Sequence, residues 1–237
     1  KGHVKQFQII RSLLGEDTAI VCLMSGNFVQ RGMPAIMDKS LRAKAAILCG
    51  ADLVLELPVI CALSSAEGFA AGGVEILGNF CDYLCFGSES GDVKSLTATA
   101  QALLSDRFPP LLRKYLETGM SFPAARQAAL EAMGLDGDLL SLPNNILAVE
   151  YIKALKKRHS DMDIRPVLRM GTGHDTLTPP DEFASASTLR ILMERGDLAA
   201  FEFMPPESVE EFEKQRSIGR APVRVEESER AILSRLR

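Results

Sequence analysis

Three short runs rich in apolar β-formers, residues 18–23, 52–57 and 83–86, alternate with stretches of helical periodicity, and this alternation constrains the chain more than any other feature. Strands this far apart, with a helix between each pair, cannot be hairpin neighbours. They pair in parallel through crossover connections, which are right-handed. The run Asp52-Leu-Val-Leu-Glu-Leu57 is nearly all apolar, as expected of a strand covered on both faces, with Glu56 as its exception and Pro58 as its stop. A further strand pattern at 164–170 follows a long strand-free interval. The pattern predicts an α/β fold around a parallel sheet.

The helical stretches have readable ends. Val4, Phe7, Ile10 and Leu14 recur at helical spacing and Gly15 follows, so residues 1–14 form a helix. Residues 39–49 form another, with Leu41, Ala45 and Leu48 on one face, and Ser64 and Ser65 precede a third that runs to Leu77 through Gly68, Gly72 and Gly73. From 92 to 158 the strand signal is absent and helices are predicted at 93–104, 110–116, 123–133 and 145–157, a helical insertion whose last member returns to the sheet. After a polar loop, Gly171-Thr-Gly-His-Asp175, comes a helix at 185–195 with Leu189, Leu192 and Met193 inward. The segment 197–237 is charged and helical, interrupted by Pro205 and Pro206. Residues 1–196 therefore read as one α/β domain and 197–237 as the start of a helical region. A domain of this type opens on a strand, so the sequence is expected to begin downstream of that strand and to stop before the helical region ends.

Composition removes several function classes. The 237 residues are 46% hydrophobic and 24% charged, with net charge −4. No apolar run approaches the ~20 residues of a membrane helix and no leader pattern opens the chain, so a cytoplasmic protein without a membrane partner is expected. Five cysteines, odd in number and without a CxxC pair, read as buried small hydrophobes rather than disulfides or zinc ligands. His159 and His174 are isolated, and no Gly-x-Ser-x-Gly elbow, P-loop or Gly-x-Gly-x-x-Gly is present. No protein metal site is expected.

Chemistry in a parallel sheet gathers in the loops at the carboxyl ends of the strands. The loop MSGNFVQRGMPAIMDK (24–39) carries Ser25, Asn27, Arg31 and Lys39 as candidate substrate contacts, while Asp38 reads as the N-cap of the next helix. Helix N-termini at Lys1 and Ser185 favour anions. Ser185, Ser187 and Thr188 add hydroxyls suited to a phosphate chain and Arg190 adds a guanidinium; the plainer alternative is that Ser185 only caps its helix and Arg190 faces solvent.

Six blocks of the chain resemble the bacterial tRNA(Met) cytidine acetate ligase family of the nucleotidyltransferase superfamily: MSGNFVQRGMPAIMDK (24–39), GADLVLELPV (50–59), CFGSESGD (85–92), SFPAARQ (121–127), LPNNILAVEYIKALK (142–156) and FASASTLR (183–190). Lys1-Gly2-His3 is similar to the second half of the superfamily's His-x-Gly-His signature. Ser185-Ala-Ser-Thr-Leu-Arg190 is similar to Ile-Ser-Ser-Thr-x-x-Arg, with Ala186 where a serine is usual. Family members begin about one strand and one loop earlier, with an Asn-Pro-Phe-His run.

The resemblance implies a Rossmann-like parallel sheet of the nucleotidyltransferase type, with a helical insertion and a helical C-terminal region. It implies an ATP site at Gly2, His3, Gly87, Asn144 and Arg169, catalytic roles for His3 and Arg190, and Mg²⁺ carried by ATP rather than by a dedicated protein site. The implied reaction joins acetate to ATP as acetyl-adenylate, then transfers the acetyl group to N4 of the wobble cytidine of elongator tRNA(Met). Arg220 and Arg224 are candidate tRNA contacts, in a tail that also holds Arg216, Arg230, Arg235 and Arg237. The cluster Lys153, Lys156, Lys157 and Arg158 reads instead as the basic end of a helix. Two other readings stay open from sequence: an adenylyltransferase acting on a small phosphorylated metabolite, and a tRNA-binding protein without activity.

Overall fold

A computed structural model describes residues 1–169 and 184–236. The predicted loop 171–175, with His174, lies outside the described residues, as do Phe183 and Arg237. In chain order the elements are α1 (Gly2–Leu14), β1 (Val21–Ser25), α2 (Lys39–Leu48), β2 (Leu53–Leu57), α3 (Val59–Ala62), α4 (Ala66–Leu77), β3 (Tyr83–Ser88), α5 (Val93–Leu104), α6 (Phe108–Glu117), α7 (Phe122–Glu131), α8 (Pro143–Arg158), β4 (Asp163–Leu168), α9 (Ala186–Glu194), α10 (Pro206–Ser217) and α11 (Val225–Leu236). Single 3₁₀ segments occur at Gly137–Ser141 and Leu198–Phe203.

The chain divides into two compact units, residues 1–63 with the described residues from 184 onward, and residues 64–169. In the first, β1 and β2 pair in parallel from Val21 opposite Leu53 to Ser25 opposite Leu57, with α2 as the crossover. Asp52 anchors the start of this βαβ unit: its Oδ2 accepts the Ile20 N–H at 2.7 Å and Arg11 Nη2 of α1 at 2.8 Å. Asp38 caps α2, as its position predicts, by accepting the Ser40 N–H at 2.8 Å. The inward face of α2 ends earlier than its pattern suggests, for Ala45 is buried but Leu48 is 50% exposed. The core joins Met37 before α2 to Met193 of α9, Ala200, Phe212 of α10 and Ala221. Phe201 meets Phe212 edge-on, centroids 6.0 Å apart, and Lys44 of α2 pairs at 2.7 Å with the buried Glu211 of α10.

In the second unit β3 and β4 pair in parallel, from Tyr83 opposite Asp163 to Ser88 opposite Leu168. The predicted helical insertion is the crossover between them. Its last helix, α8, buries Ala148, Val149, Ile152 and Leu155 and packs against α4 and α5. Ala70 and Gly73 of α4 are buried, and small side chains there let helices approach closely. The basic end of α8 is neutralised within the unit: Lys157 meets Glu67 at 2.9 Å, Lys153 meets Glu150 at 2.7 Å, and Arg158 pairs with Glu75.

The cysteines depart from expectation. All five are free, and each is half-buried rather than enclosed: Cys22 and Cys85 lie on strands, Cys49 caps the end of α2, Cys61 is in the one-turn helix α3 and Cys81 is in the connection before β3. Burial still pushes the Cys85 thiol up to about 11, so thiolate is scarce there at neutral pH. No helix among the described residues is long and apolar enough to cross a membrane.

Candidate functional site

In the second unit the site is built where β3 ends. Helix α8 opens on Leu142-Pro-Asn-Asn and has no side-chain cap of its own. Its first N–H groups need partners from elsewhere, and Glu89, just past β3, supplies them. Glu89 Oε1 accepts from Asn144 N at 3.1 Å and from Asn144 Nδ2 at 2.6 Å, while Oε2 accepts from Asn145 N at 2.8 Å. Asn145 returns the clamp: its Oδ1 accepts from Ser88 Oγ at 2.7 Å, Glu89 N at 3.0 Å and Ser90 N at 3.1 Å.

With its Nδ2 held by Glu89, Asn144 has Oδ1 to offer, and Arg169 Nη1 donates to it at 3.0 Å. Arg169 continues β4, its N–H donating to Ser88 O at 2.9 Å. Its stem lies along Gly87, where a Cβ would meet Arg169 Cγ at 3.0 Å and Cδ at 3.2 Å. Gly87, Asn144 and Arg169, distant in sequence, are thus brought together. The arrangement presents an exposed guanidinium with a fixed orientation, suited to an anion or a nucleotide. Because Glu89 fills the α8 N-terminus, the helix end itself does not serve as the anion site.

In the first unit Arg42 of α2 braces the end of β1, Nη1 donating to Ser25 O at 3.0 Å and Gly26 O at 2.7 Å. A Cβ at Gly26 would sit 2.2 Å from Glu56 Oε1, so a side chain there would push that carboxylate out of its present position. Glu56 also accepts Lys39 Nζ on Oε2 at 2.6 Å, and Asn27 Oδ1 accepts the Lys39 N–H at 3.0 Å. Ser25, Asn27 and Lys39 therefore gather round the end of β1. Arg31 is exposed.

Arg190 does not face solvent. Its side chain is 17% exposed, and among the described residues its closest carboxylate oxygen is Glu194 Oε1 at 3.8 Å and its Nη1 has no hydrogen-bond partner. It lies close enough to Arg42 that its charge, after burial, lowers the Arg42 pKa. Two like charges and an unsatisfied N–H make an electropositive spot. Ser185 is the N-cap of α9: its Oγ accepts Thr188 N at 3.1 Å and shares a hydrogen bond with Thr188 Oγ1 at 2.9 Å, both residues being buried. Ser187 is half-buried. Gly2 and His3 are exposed in the first turn of α1, where no side chain caps the helix. Among the described residues no group of three His, Cys, Asp or Glu side chains is placed to hold a metal.

In the tail, Arg216 pairs with Glu213 at 2.8 Å, and Arg224 Nη2 donates to Glu194 O at 3.4 Å. Arg220 is exposed; the Asp38 carboxyl is held below the usual range mainly by its hydrogen bonds from Ser40, with the Lys39 and then the Arg220 charge adding to the effect. Glu89, Asn145, Arg42 and Glu56 were not singled out as site residues from sequence. The missing cap before Pro143 is the signal that calls for Glu89.

Residues 1–237 match the model of the family described as HIGH Nucleotidyl Transferase. The chain belongs to that family. It is 39% identical over 235 residues to the tRNA(Met) cytidine acetate ligase of Acetivibrio thermocellus, covering 94% of this chain and 56% of that protein. It is 38% identical over 244 residues to the ligase of the same name from a Thermoanaerobacter species, covering 100% of this chain and 61% of that protein. The chain therefore spans a little over half the length of the curated relatives it matches. Among solved structures, apo TmcAL of Thermotoga maritima superposes with a TM-score of 0.87 at 34% identity, over 94% of this chain and 55% of that one. The same protein bound with alpha-thio ATP gives 0.84 at 34% identity, over 95% and 55%. The fold is of the nucleotidyltransferase type, and the family resemblance carried by the six sequence blocks agrees with these relatives.

Proposed function

We propose that the chain forms the acetate-activating part of a cytoplasmic tRNA(Met) cytidine acetate ligase. The observation that carries this reading is the convergence of Gly87, Asn144 and Arg169 into one oriented guanidinium site. The ligases named above and the ATP-analogue complex of the Thermotoga protein support it.

In the proposed reaction an acetate oxygen attacks the α-phosphorus of ATP, the bond to pyrophosphate breaks, and acetyl-adenylate forms. The cytidine N4 then attacks the acetyl carbon, AMP leaves, and N4 gives up a proton. Cytosine's amine is a weak nucleophile, its lone pair delocalised into the ring, so the acetyl group needs a leaving group as good as AMP. The protein has to align the reactants and offset the charge on pyrophosphate. In this reading Arg169, held by Asn144 and accommodated by Gly87, binds the nucleotide. His3 and Arg190 meet phosphate charge, and Gly2 keeps the first turn of α1 open to it. Ser187 offers a hydroxyl outside the Ser185–Thr188 cap, while those two shape the turn. Ser25, Asn27, Arg31 and Lys39 take the acetate side, Arg220 and Arg224 take tRNA phosphates, and Mg²⁺ accompanies the triphosphate.

The test is exchange of radiolabelled pyrophosphate into ATP by the full-length protein. Exchange is expected only when acetate is added, because the reversible first step needs the group that receives AMP. Exchange without acetate overturns the ligase reading. Gly87→Ala is expected to push Arg169 aside and weaken ATP binding about fivefold, roughly 1 kcal/mol, as a mild overpacking does. Calorimetric titration with ATP checks it.

A further inference from the structure

Past the ends of β3 and β4 an acceptor, an amide and a donor stand in a row. Glu89 is a carboxylate, which only accepts hydrogen bonds, and Arg169 is a guanidinium, which only donates them. Asn144 lies between: its Nδ2 donates to Glu89 Oε1 at 2.6 Å, and its Oδ1 accepts from Arg169 Nη1 at 3.0 Å. The two ends of an asparagine amide are opposite in polarity and nearly equal in shape, so an amide with indifferent neighbours can point either way. Here one neighbour admits only a donor. The oxygen is therefore turned toward Arg169.

Glu89 can impose this choice because it is itself held. Its Oε1 also takes the Asn144 N–H at 3.1 Å, so one oxygen grips both the backbone and the side chain of that residue. Its Oε2 takes the Asn145 N–H at 2.8 Å, and its own N–H is bound by Oδ1 of the buried Asn145 at 3.0 Å. All of these groups belong to the unit 64–169. The middle group also decides how much charge the guanidinium offers. Among the described residues Arg169 forms no ion pair, and the group that aims it is neutral. A carboxylate bonded directly to the guanidinium would fix it and offset its charge; an amide fixes it and leaves the charge for an anionic ligand.

We propose that Glu89 is a positioning residue for the nucleotide: it locks the Asn144 amide with its oxygen toward Arg169, so that a neutral group aims the guanidinium and its full charge stays available to ATP. This rests on the reading of Arg169 as a nucleotide contact. It also accounts for asparagine at position 144. Aspartate there would face Glu89 as a second carboxylate, and an apolar side chain of that size would leave Glu89 and Arg169 each short of a partner.

The test is a double-mutant cycle read by calorimetric titration of ATP into the full-length protein without acetate. Glu89→Gln keeps the length of the side chain and one carbonyl oxygen, but its NH₂ can donate, so the Asn144 amide is free to turn; ATP binding is expected to weaken about tenfold. Asn144→Asp keeps the backbone N–H for Glu89 and sets a carboxylate against Arg169, and a loss of about tenfold is expected there too. In an Arg169→Ala background each change should cost less than about twofold, because the group through which both act is gone. A general fault in the fold would weaken binding equally in both backgrounds. The full loss persisting without Arg169 overturns the proposal. So does ATP binding within about twofold of wild type in Glu89→Gln or in Asn144→Asp. If Glu89→Gln does not fold, the Asn144→Asp cycle decides by itself. Acetate-dependent pyrophosphate exchange is measured on the same wild-type preparation. Its absence in a protein that binds ATP counts against the ligase reading alone, and its presence with an additive cycle counts against the role of Glu89 alone. A wild type that does not bind ATP overturns both.

Discussion

Asn145→Ala is expected to lower the stability of the chain by about 4 kcal/mol, as the midpoint shift of a urea melt would show. Asn145 is 1% exposed, and its Oδ1 is the acceptor for Ser88 Oγ, Glu89 N and Ser90 N. Removing it strands donors in a place water reaches poorly, and each such group costs about 1–3 kcal/mol. Ser88 also accepts the Gly91 N–H at 3.1 Å, so the disturbance spreads through the turn after β3. Nucleotide binding should fall as well, because Glu89 orients Asn144 and Asn144 holds Arg169. A loss below about 1 kcal/mol would mean that the turn repairs itself with water.

The sheet strands and most helices were legible because they obey local rules. Helix α5 runs from Val93 to Leu104, the predicted range, with Asp92 as its N-cap. The first strand was placed too early. Thr18 N–H turns back to Gly15 O at 3.1 Å and Ile20 is tied to Asp52, so the ladder begins only at Val21; a β-rich composition cannot show where a partner strand starts. The one-turn helix α3 went unread because four apolar residues after Pro58 carry no periodicity.

The site was legible unevenly for related reasons. Gly87, Asn144 and Arg169 were grouped through family resemblance, as no spacing rule joins positions 87, 144 and 169, and the structure shows that they lie together. Their supports, Glu89 and Asn145, leave a trace in an uncapped helix start, a local signal whose partner is remote. Glu56 stood out in an apolar strand, but its meaning needed Lys39, brought to 2.6 Å by the crossover. Of the two sequence readings of Ser185, the structure adds the cap to Thr188, a bond any Ser–Thr pair at that spacing can make.

Arg190→Ala is expected to slow acetate-dependent pyrophosphate exchange about a hundredfold while weakening ATP binding far less, an effect of about 3 kcal/mol. The ground for this is electrostatic. Among the described residues Arg190 Nη1 lacks a hydrogen-bond partner and its only nearby carboxylate oxygen is 3.8 Å away, whereas Arg42 Nη1 is already engaged by two carbonyls. An anion that gains charge as pyrophosphate departs would satisfy the open N–H and relieve the repulsion between the two guanidinium groups. That gain is largest in the transition state, which places the loss in rate rather than in binding. Folding supplies an internal control. Burial and then the Arg190 charge lower the Arg42 pKa, so removing Arg190 relieves that repulsion and should leave the thermal midpoint unchanged or raise it, and a slow variant cannot be dismissed as an unfolded one. Exchange within twofold of wild type would remove Arg190 from the phosphate chemistry and leave the acetate dependence of the reaction untouched.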